Sequence, residues 1–274
     1  MTALPLAAAG VHLPAPATFP PALAVEGLSK AFGGLTVASG INLTLARGDR
    51  VALIGPNGAG KTTFVNLVSG LLSPSAGSIS LAGEDITRLS DVQRARRGLV
   101  RSFQVSRLFH GLSVREHIEL ALLQRLKRTN RLFASIGRMA DVAHEAAELI
   151  ERLGLADIAD ARVDEISYGQ QRLTDLAMSL ALKPKVLLLD EPAAGVPTRD
   201  AGRTLDVVEA LPGDIAVLMI EHDMDLVFRF AKRVVVLAAG HVIFAGTPAE
   251  IVSDERVRAA YLGAYGREDE PHGR

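Results

Sequence analysis

The chain has 274 residues, with 30 basic against 31 acidic side chains and a formal net charge of −1, so no overall field favours nucleic acid or an anionic membrane. It contains no cysteine, which excludes disulfides, thiol catalysis and zinc fingers. An apolar fraction of 48% is ample for a core, while the longest apolar runs, about six residues as in 234–239, fall far short of the ~20 needed to span a bilayer.

Residues 1–22 are rich in Ala and Pro, with prolines at 5, 14, 16, 20 and 21, and show no periodicity. They read as a disordered tail and not as a secretory signal, because no basic residue opens them. Alternating apolar residues over Ala22–Phe32 and Ile41–Ala46 predict antiparallel strands, and Val51–Ile54 predicts a short buried one. Residues 55–62 then read Gly-Pro-Asn-Gly-Ala-Gly-Lys-Thr, a complete G-x-x-x-x-G-K-[ST] phosphate-binding loop, and Thr63–Val68 continues as a helix closing at Gly70. Strand, glycine loop and helix are the context this motif requires. The candidate nucleotide-binding set is therefore Gly55, Pro56, Asn57, Gly58, Ala59, Gly60, Lys61, Thr62 and Thr63. Its glycines let backbone N–H groups curl round a phosphate chain at the positive end of the helix dipole. Lys61 can reach the β- and γ-phosphates, and the Thr62 hydroxyl can ligate magnesium.

Ser78–Leu81 predicts another strand, closed by Gly83. From Ser113 the period becomes helical: Ser113-Val-Arg-Glu116 is a capping box, apolar residues recur through Leu126, and a second helical pattern runs from about Met139 to Leu153. An α/β pattern resumes with a strand at Val186–Leu189, a helix at Arg199–Leu211, a strand at Ile215–Ile220 and a helix at Met224–Ala231. Arg233–Ala238 and His241–Phe244 flank Ala239-Gly240 as a hairpin, and Thr247-Pro248-Ala249-Glu250 opens a capped helix. The expected division is a tail (1–22), an α/β core (23–104 and 171–252), a helical insertion (105–170) and a C-terminal helix and polar tail (253–274). The strand from Val186 ends in Asp190-Glu191-Pro192. An Asp at the tip of a buried strand beside a phosphate loop can hold magnesium, and the adjacent Glu191 can polarise an attacking water.

About twenty residues before Asp190 stands Ile166-Ser167-Tyr168-Gly169-Gln170-Gln171. This segment resembles the Leu-Ser-Gly-Gly-Gln signature of ATP-binding-cassette (ABC) ATPases, and the resemblance covers about residues 23–263. It implies an α/β P-loop NTPase (RecA-like) core with an N-terminal antiparallel β subdomain and an inserted α-helical subdomain, hydrolysing ATP with Mg2+. In that family two ATPase domains pair head to tail, so that Ser167, Gly169 and Gln170 of one would cap the γ-phosphate held by the loop of the other. The resemblance assigns Gln104, in Arg101-Ser-Phe-Gln104, to the Q-loop glutamine that senses magnesium and water. It assigns His222 to the switch histidine at the γ-phosphate and Phe32, 29 residues before Lys61, to the ring against adenine. Glu191 becomes the general base, with His222 and Gln104 beside it, and Thr62, Gln104 and Asp190 become the magnesium residues.

Two positions depart from the family pattern. Pro197, which has no N–H, stands where the D-loop aspartate would be, and Tyr168 replaces the first signature glycine. Together with Glu191-Pro-Ala-Ala-Gly195 and Ile220-Glu-His-Asp-Met224, they resemble the ATPases of branched-chain (hydrophobic) amino-acid uptake. Ala260-Tyr-Leu-Gly263 agrees, though it also occurs in the ATPase of lipopolysaccharide export. The implied partners are two transmembrane permease subunits, a second ABC ATPase subunit (identical or paralogous) and, indirectly, a substrate-binding protein, with no nucleic acid. The implied place is peripheral, on the cytoplasmic face of the inner membrane. Urea or amide uptake and lipopolysaccharide export remain alternatives. A soluble ABC ATPase of DNA repair or translation is disfavoured, since there is one cassette and no coiled-coil insertion. A P-loop GTPase lacks its Asn-Lys-x-Asp motif. The basic groups Arg94, Arg96, Arg97, Arg101 and Arg125, Lys127, Arg128, Arg131 read as solvated faces, or else as contacts to membrane subunits or lipid headgroups.

Overall fold

A computed structural model describes residues 20–102, 108–128, 140–192, 194 and 198–265. In chain order its elements are β1 (Leu23–Phe32), β2 (Leu35–Leu45), β3 (Arg50–Ile54), α1 (Lys61–Ser69), β4 (Ala76–Leu81), β5 (Glu84–Asp85), α2 (Asp91–Ala95) and β6 (Leu99–Ser102). There follow α3 (Val114–Arg125), α4 (Ala140–Arg152), α5 (Tyr168–Ala181), β7 (Val186–Asp190), α6 (Thr198–Glu209), β8 (Ala216–Ile220) and α7 (Met224–Phe230). The chain closes with β9 (Arg233–Ala238), β10 (His241–Gly246), α8 (Pro248–Ile251) and α9 (Glu255–Tyr265). The expected tail lies almost wholly outside the described residues, as do Gln104, Arg131 and Pro197.

Two sheets organise the molecule. One is antiparallel, in the order β2-β1-β4-β5. The other runs β10-β9-β3-β8-β7-β6, parallel throughout except for β10 at its edge. The parallel strands are apolar on both faces because both faces are covered. Val51, Leu53, Leu188, Leu218 and Val235 join a core with β1, β2 and the α1 residues Phe64, Val65, Leu67 and Val68. Ala52, Ile54, Leu187, Val217 and Val234 face a second core shared with α5, α6 and α7. α1 is thus held between the two sheets. In the helical part, Val142, Ala146 and Ile150 of α4, spaced by four, are buried in the same core as Ile118 and Leu122 of α3 and Leu173 and Leu176 of α5. This is the expected α/β architecture with its antiparallel β and helical parts.

Local boundaries differ from the expectation where periodicity fails. β2 begins at Leu35 and not at Ile41, because Phe32 pairs with Leu35 across Gly33-Gly34 and register shifts within β1–β2 break the alternation. α2 has only five residues, too few for a helical period, and is marked solely by the capping box of Ser90 with Gln93.

The basic residues expected on solvated faces are partly internal, which corrects that reading. Arg94 is 1% exposed, with Nη1 donating to Leu67 O and Val68 O (both 2.7 Å), Nη2 to Thr87 O (2.8 Å) and Nε to Leu89 O (3.0 Å). It satisfies carbonyls that the last turn of α1 cannot bond itself. Arg125 is largely buried against Glu145 at 2.5 Å, and Arg101 lies in the interior near Asp190. A guanidinium is tolerated inside when its donors find oxygens. Arg94→Met should cost about 3 kcal/mol, since it strips charge-assisted bonds from buried carbonyls. A lower urea midpoint at unchanged m-value would show it; an unmoved midpoint would contradict the capping role.

His117 of α3 is fully buried. Its Nε2 accepts from the Phe109 N–H at 2.8 Å, and its Nδ1 lies 2.8 Å from Ser113 O, so the neutral ring with Nδ1–H donating fits both. Burial pushes its pKa below the ordinary histidine value of 6.5, against smaller opposing effects from Ser113 and Glu116. A depressed pKa means that the neutral ring's contribution is complete above about pH 6.5 and is lost as pH falls through the folded-state value. The acid limb of stability against pH should therefore be shallower in His117→Gln than in the wild type. Equal slopes in pH-dependent urea unfolding would refute this.

Candidate nucleotide-binding and hydrolysis site

The carboxyl ends of β3, β6, β7 and β8 open on one edge of the parallel sheet, where open α/β sheets bind ligands. After Ile54 the phosphate loop turns at Gly55 with φ 154°; a Cβ there would stand 2.0 Å from Leu237 O of β9. Gly60, the α1 N-cap at φ 100°, brings the backbone so close to Val37 O of β2 that a Cβ would lie 2.8 Å from it. The loop is also tied to the β9–β10 turn, with Gly240 N–H donating to Ala59 O at 3.0 Å. Helix geometry leaves the N–H groups of Lys61, Thr62 and Thr63 without partners inside α1, which suits an anion.

Lys61 lies over this loop. Its Nζ donates to Gly55 O (2.6 Å) and Pro56 O (3.1 Å). Burial lowers its pKa, while Glu191 and then Asp190 act in the opposite sense. The phosphate-loop cation and both carboxylates therefore share one electrostatic neighbourhood, as the sequence spacing anticipated.

Asp190 ends β7 opposite Ile220 of β8 and is nearly buried. Its Oδ2 accepts from Nη2 of Arg101, whose Nη1 donates to Asn66 Oδ1 on α1 at 2.7 Å. The next residue, Glu191, has φ 48°, a left-handed conformation that a glutamate adopts only under constraint. Its N–H donates to Ile220 O at 2.9 Å, and its Oε1 stands 3.8 Å from Nδ1 of His222. His222 follows β8 directly; its backbone N–H donates to Oε2 of the buried Glu221 at 3.1 Å. The structure thus gathers Lys61, Asp190, Glu191 and His222. Gln104 lies outside the described residues. Arg101 and Asn66 are site residues that sequence reasoning missed; the only signal was Arg101's place three residues before Gln104.

The donor set fits magnesium. Thr62 and Asp190 offer the hard oxygens magnesium prefers, and the Asp190 carboxylate already pairs with a cationic guanidinium. Among the described residues no group of three or more His, Cys, Asp or Glu could hold a metal by itself.

The signature segment forms the start of α5. Ser167 is its N-cap, with Oγ accepting from Gln170 N–H (3.3 Å) and Gln170 Oε1 accepting from Ser167 N–H (2.8 Å). Gly169 is buried, and the Arg172 guanidinium lies 5.0 Å from the Tyr168 ring centroid. Phe32 at the end of β1 is half-exposed, with Lys30 Nζ 5.1 Å from its ring centroid. It is accessible to a base.

Residues 38–194 match the ABC transporter family model, and residues 241–266 match that of branched-chain amino acid ATP-binding cassette transporters. This chain belongs to the ABC transporter family. It is an ATP-binding cassette, the nucleotide-hydrolysing type of subunit. The high-affinity branched-chain amino acid transport ATP-binding protein LivG of Salmonella typhimurium is 37% identical over 252 residues, covering 89% of this chain and 98% of the relative. The lipopolysaccharide export system ATP-binding protein LptB of Escherichia coli is 35% identical over 242 residues, covering 88% and 97%. A solved ATP-binding cassette of an ABC transporter in its ADP conformation is 28% identical with a TM-score of 0.78, covering 89% of this chain and 99% of that one. Among the described residues no helix is long and apolar enough to cross a membrane.

Gly55→Ala should abolish measurable ATP binding, because the added methyl meets a backbone carbonyl that cannot move aside. Equilibrium binding of a fluorescent ATP analogue tests it, and wild-type affinity would contradict the described loop geometry.

Proposed function

We propose that this chain energises an importer of branched-chain or other hydrophobic amino acids, working with two separate transmembrane permease subunits and a second ATPase subunit at the cytoplasmic face of the inner membrane. The observation that carries the reading is the match of residues 241–266 to the branched-chain cassette model, beyond the general cassette match. Its substrate-binding protein would act indirectly, through the permease.

In this reading the loop N–H groups and Lys61 hold the β- and γ-phosphates, and Phe32 stacks on the base. Thr62, Gln104 and Asp190 would hold Mg2+, which supplies charge neutralisation on the phosphates. Glu191 accepts the proton of the attacking water at its carboxylate, with His222 beside it toward the γ-phosphate. The left-handed backbone at Glu191 and its bond to Ile220 O support a fixed aim for that carboxylate. Ser167, Gly169 and Gln170 would reach the γ-phosphate of the partner subunit, where the N-terminus of α5 favours an anion. Two such subunits, identical or paralogous, would close around ATP because ATP binds the closed state better.

A second reading, lipopolysaccharide export, is favoured by one observation, the 35% identity to LptB. One experiment separates them: uptake of labelled leucine in cells carrying either the wild-type chain or Glu191→Gln as the sole copy. Glu191→Gln should lower ATP turnover at least 100-fold, with ATP still bound, and abolish leucine uptake. Lost turnover with intact leucine uptake would turn the assignment toward export or other cargo. Wild-type turnover would refute the role given to Glu191.

A further inference from the structure

The guanidinium of Arg101 does more than fill space. It leaves β6 three residues before Gln104 and bridges two elements of the nucleotide site: Asn66 on α1, one turn beyond the phosphate loop, and Asp190 at the tip of β7. Its side chain and that of Asp190 are about one-tenth exposed, so the pair is screened little by solvent. Opposite charges this deep influence each other strongly, and removing one leaves the other uncompensated.

We propose that Arg101 is an internal counter-ion for Asp190, holding the carboxylate when no metal is present and competing with Mg2+ for it. This rests on the reading of Asp190 as a magnesium residue. The consequence is twofold. Without Mg2+, Arg101 cancels the Asp190 charge that would otherwise repel a triphosphate. With Mg2+, the guanidinium must give up or share the carboxylate, so part of the metal's attraction is spent on displacing it. Arg101 therefore narrows the difference between metal-free and metal-loaded ATP binding. It acts through Asp190, as a positioning residue.

The readout is the ratio of ATP-analogue dissociation constants measured in EDTA and in excess Mg2+, on the purified full chain by fluorescence. Arg101→Gln should raise that ratio about tenfold, weakening EDTA binding and tightening Mg2+ binding. A merely structural role would weaken both constants together and leave the ratio unmoved. Arg101→Lys keeps the charge but not the fork that spans Asn66 and Asp190, so its ratio should rise by a smaller factor, about threefold. If the Gln variant does not fold, the Lys variant decides. A ratio within error of the wild type in the folded variant would overturn the proposal. Asp190→Asn distinguishes the two layers. If it collapses the ratio toward one while Arg101→Gln changes nothing, only the counter-ion role fails. If Asp190→Asn leaves the ratio unchanged, the reading of Asp190 fails and the counter-ion role falls with it.

Discussion

The close approach of three backbones at the phosphate loop is the constraint on which the rest depends. Gly55 lies against the Leu237 carbonyl of β9, and Gly60 and Gly240 lie against the Val37 carbonyl of β2. No side chain fits at these contacts, so the main chain sets the loop's position, and its dipoles point where a phosphate must sit. The same contacts fasten the antiparallel sheet to the parallel one, with α1 wedged between them through Phe64, Val65, Leu67 and Val68. The loop sits where the two sheets meet. Any ligand that fills it is therefore reporting on the packing of both.

The parallel core and its motif-bearing edge were legible in the sequence because strands buried on both faces produce unbroken apolar runs. Val51–Ile54, Val186–Leu189 and Ile215–Ile220 are runs of this kind, too short for a helix of ordinary length. Capping boxes at Ser113 and Thr247 were equally plain, since the chemistry of a cap is written in adjacent residues. What escaped was long-range. The extension of β2 to Leu35 depends on pairing with Phe32 through irregular registers that erase alternation. The pairing of Arg101 with Asp190 joins residues 89 apart in sequence, and no local pattern announces it. The phosphate loop and the acidic strand end could be named from their motifs, and His222 from the family resemblance, because each lies at or just after the end of a strand that reaches the same edge.

Charge placement explains why a nearly neutral chain carries arginines in its interior. Arg94 closes the carboxyl end of α1 by gathering four carbonyl oxygens, and Arg50 does likewise for the segment before β8, with Nη1 donating to Ile215 O at 2.6 Å. Burial lowers the pKa of both, yet each retains its proton because a guanidinium is far more basic than the shift can overcome. These cations act as fixed braces at places where helices and strands run out of internal partners.

The end of β6 gathers this logic into the site. Arg101 binds the acidic tip of β7 and the side chain of Asn66 on α1, while the neighbouring Ser102 hydroxyl donates to Asp175 on the signature helix α5. Two successive residues of one short strand thus contact the phosphate-loop helix, the acidic strand and the helix that begins with Ser167. Gln104 follows two positions later. The Ser102 contact to α5 and the Arg101 contacts to α1 and β7 therefore sit on adjacent residues of one strand. Because the Arg101 side chain is held at both Asn66 and Asp190, it cannot change rotamer without breaking one bond. The strand is short and parallel-paired to β7 over Leu99–Ser102. The helix that begins with Ser167 and the Asp190 carboxylate are thus linked within a single chain through two adjacent residues of β6, by bonds that do not involve the nucleotide.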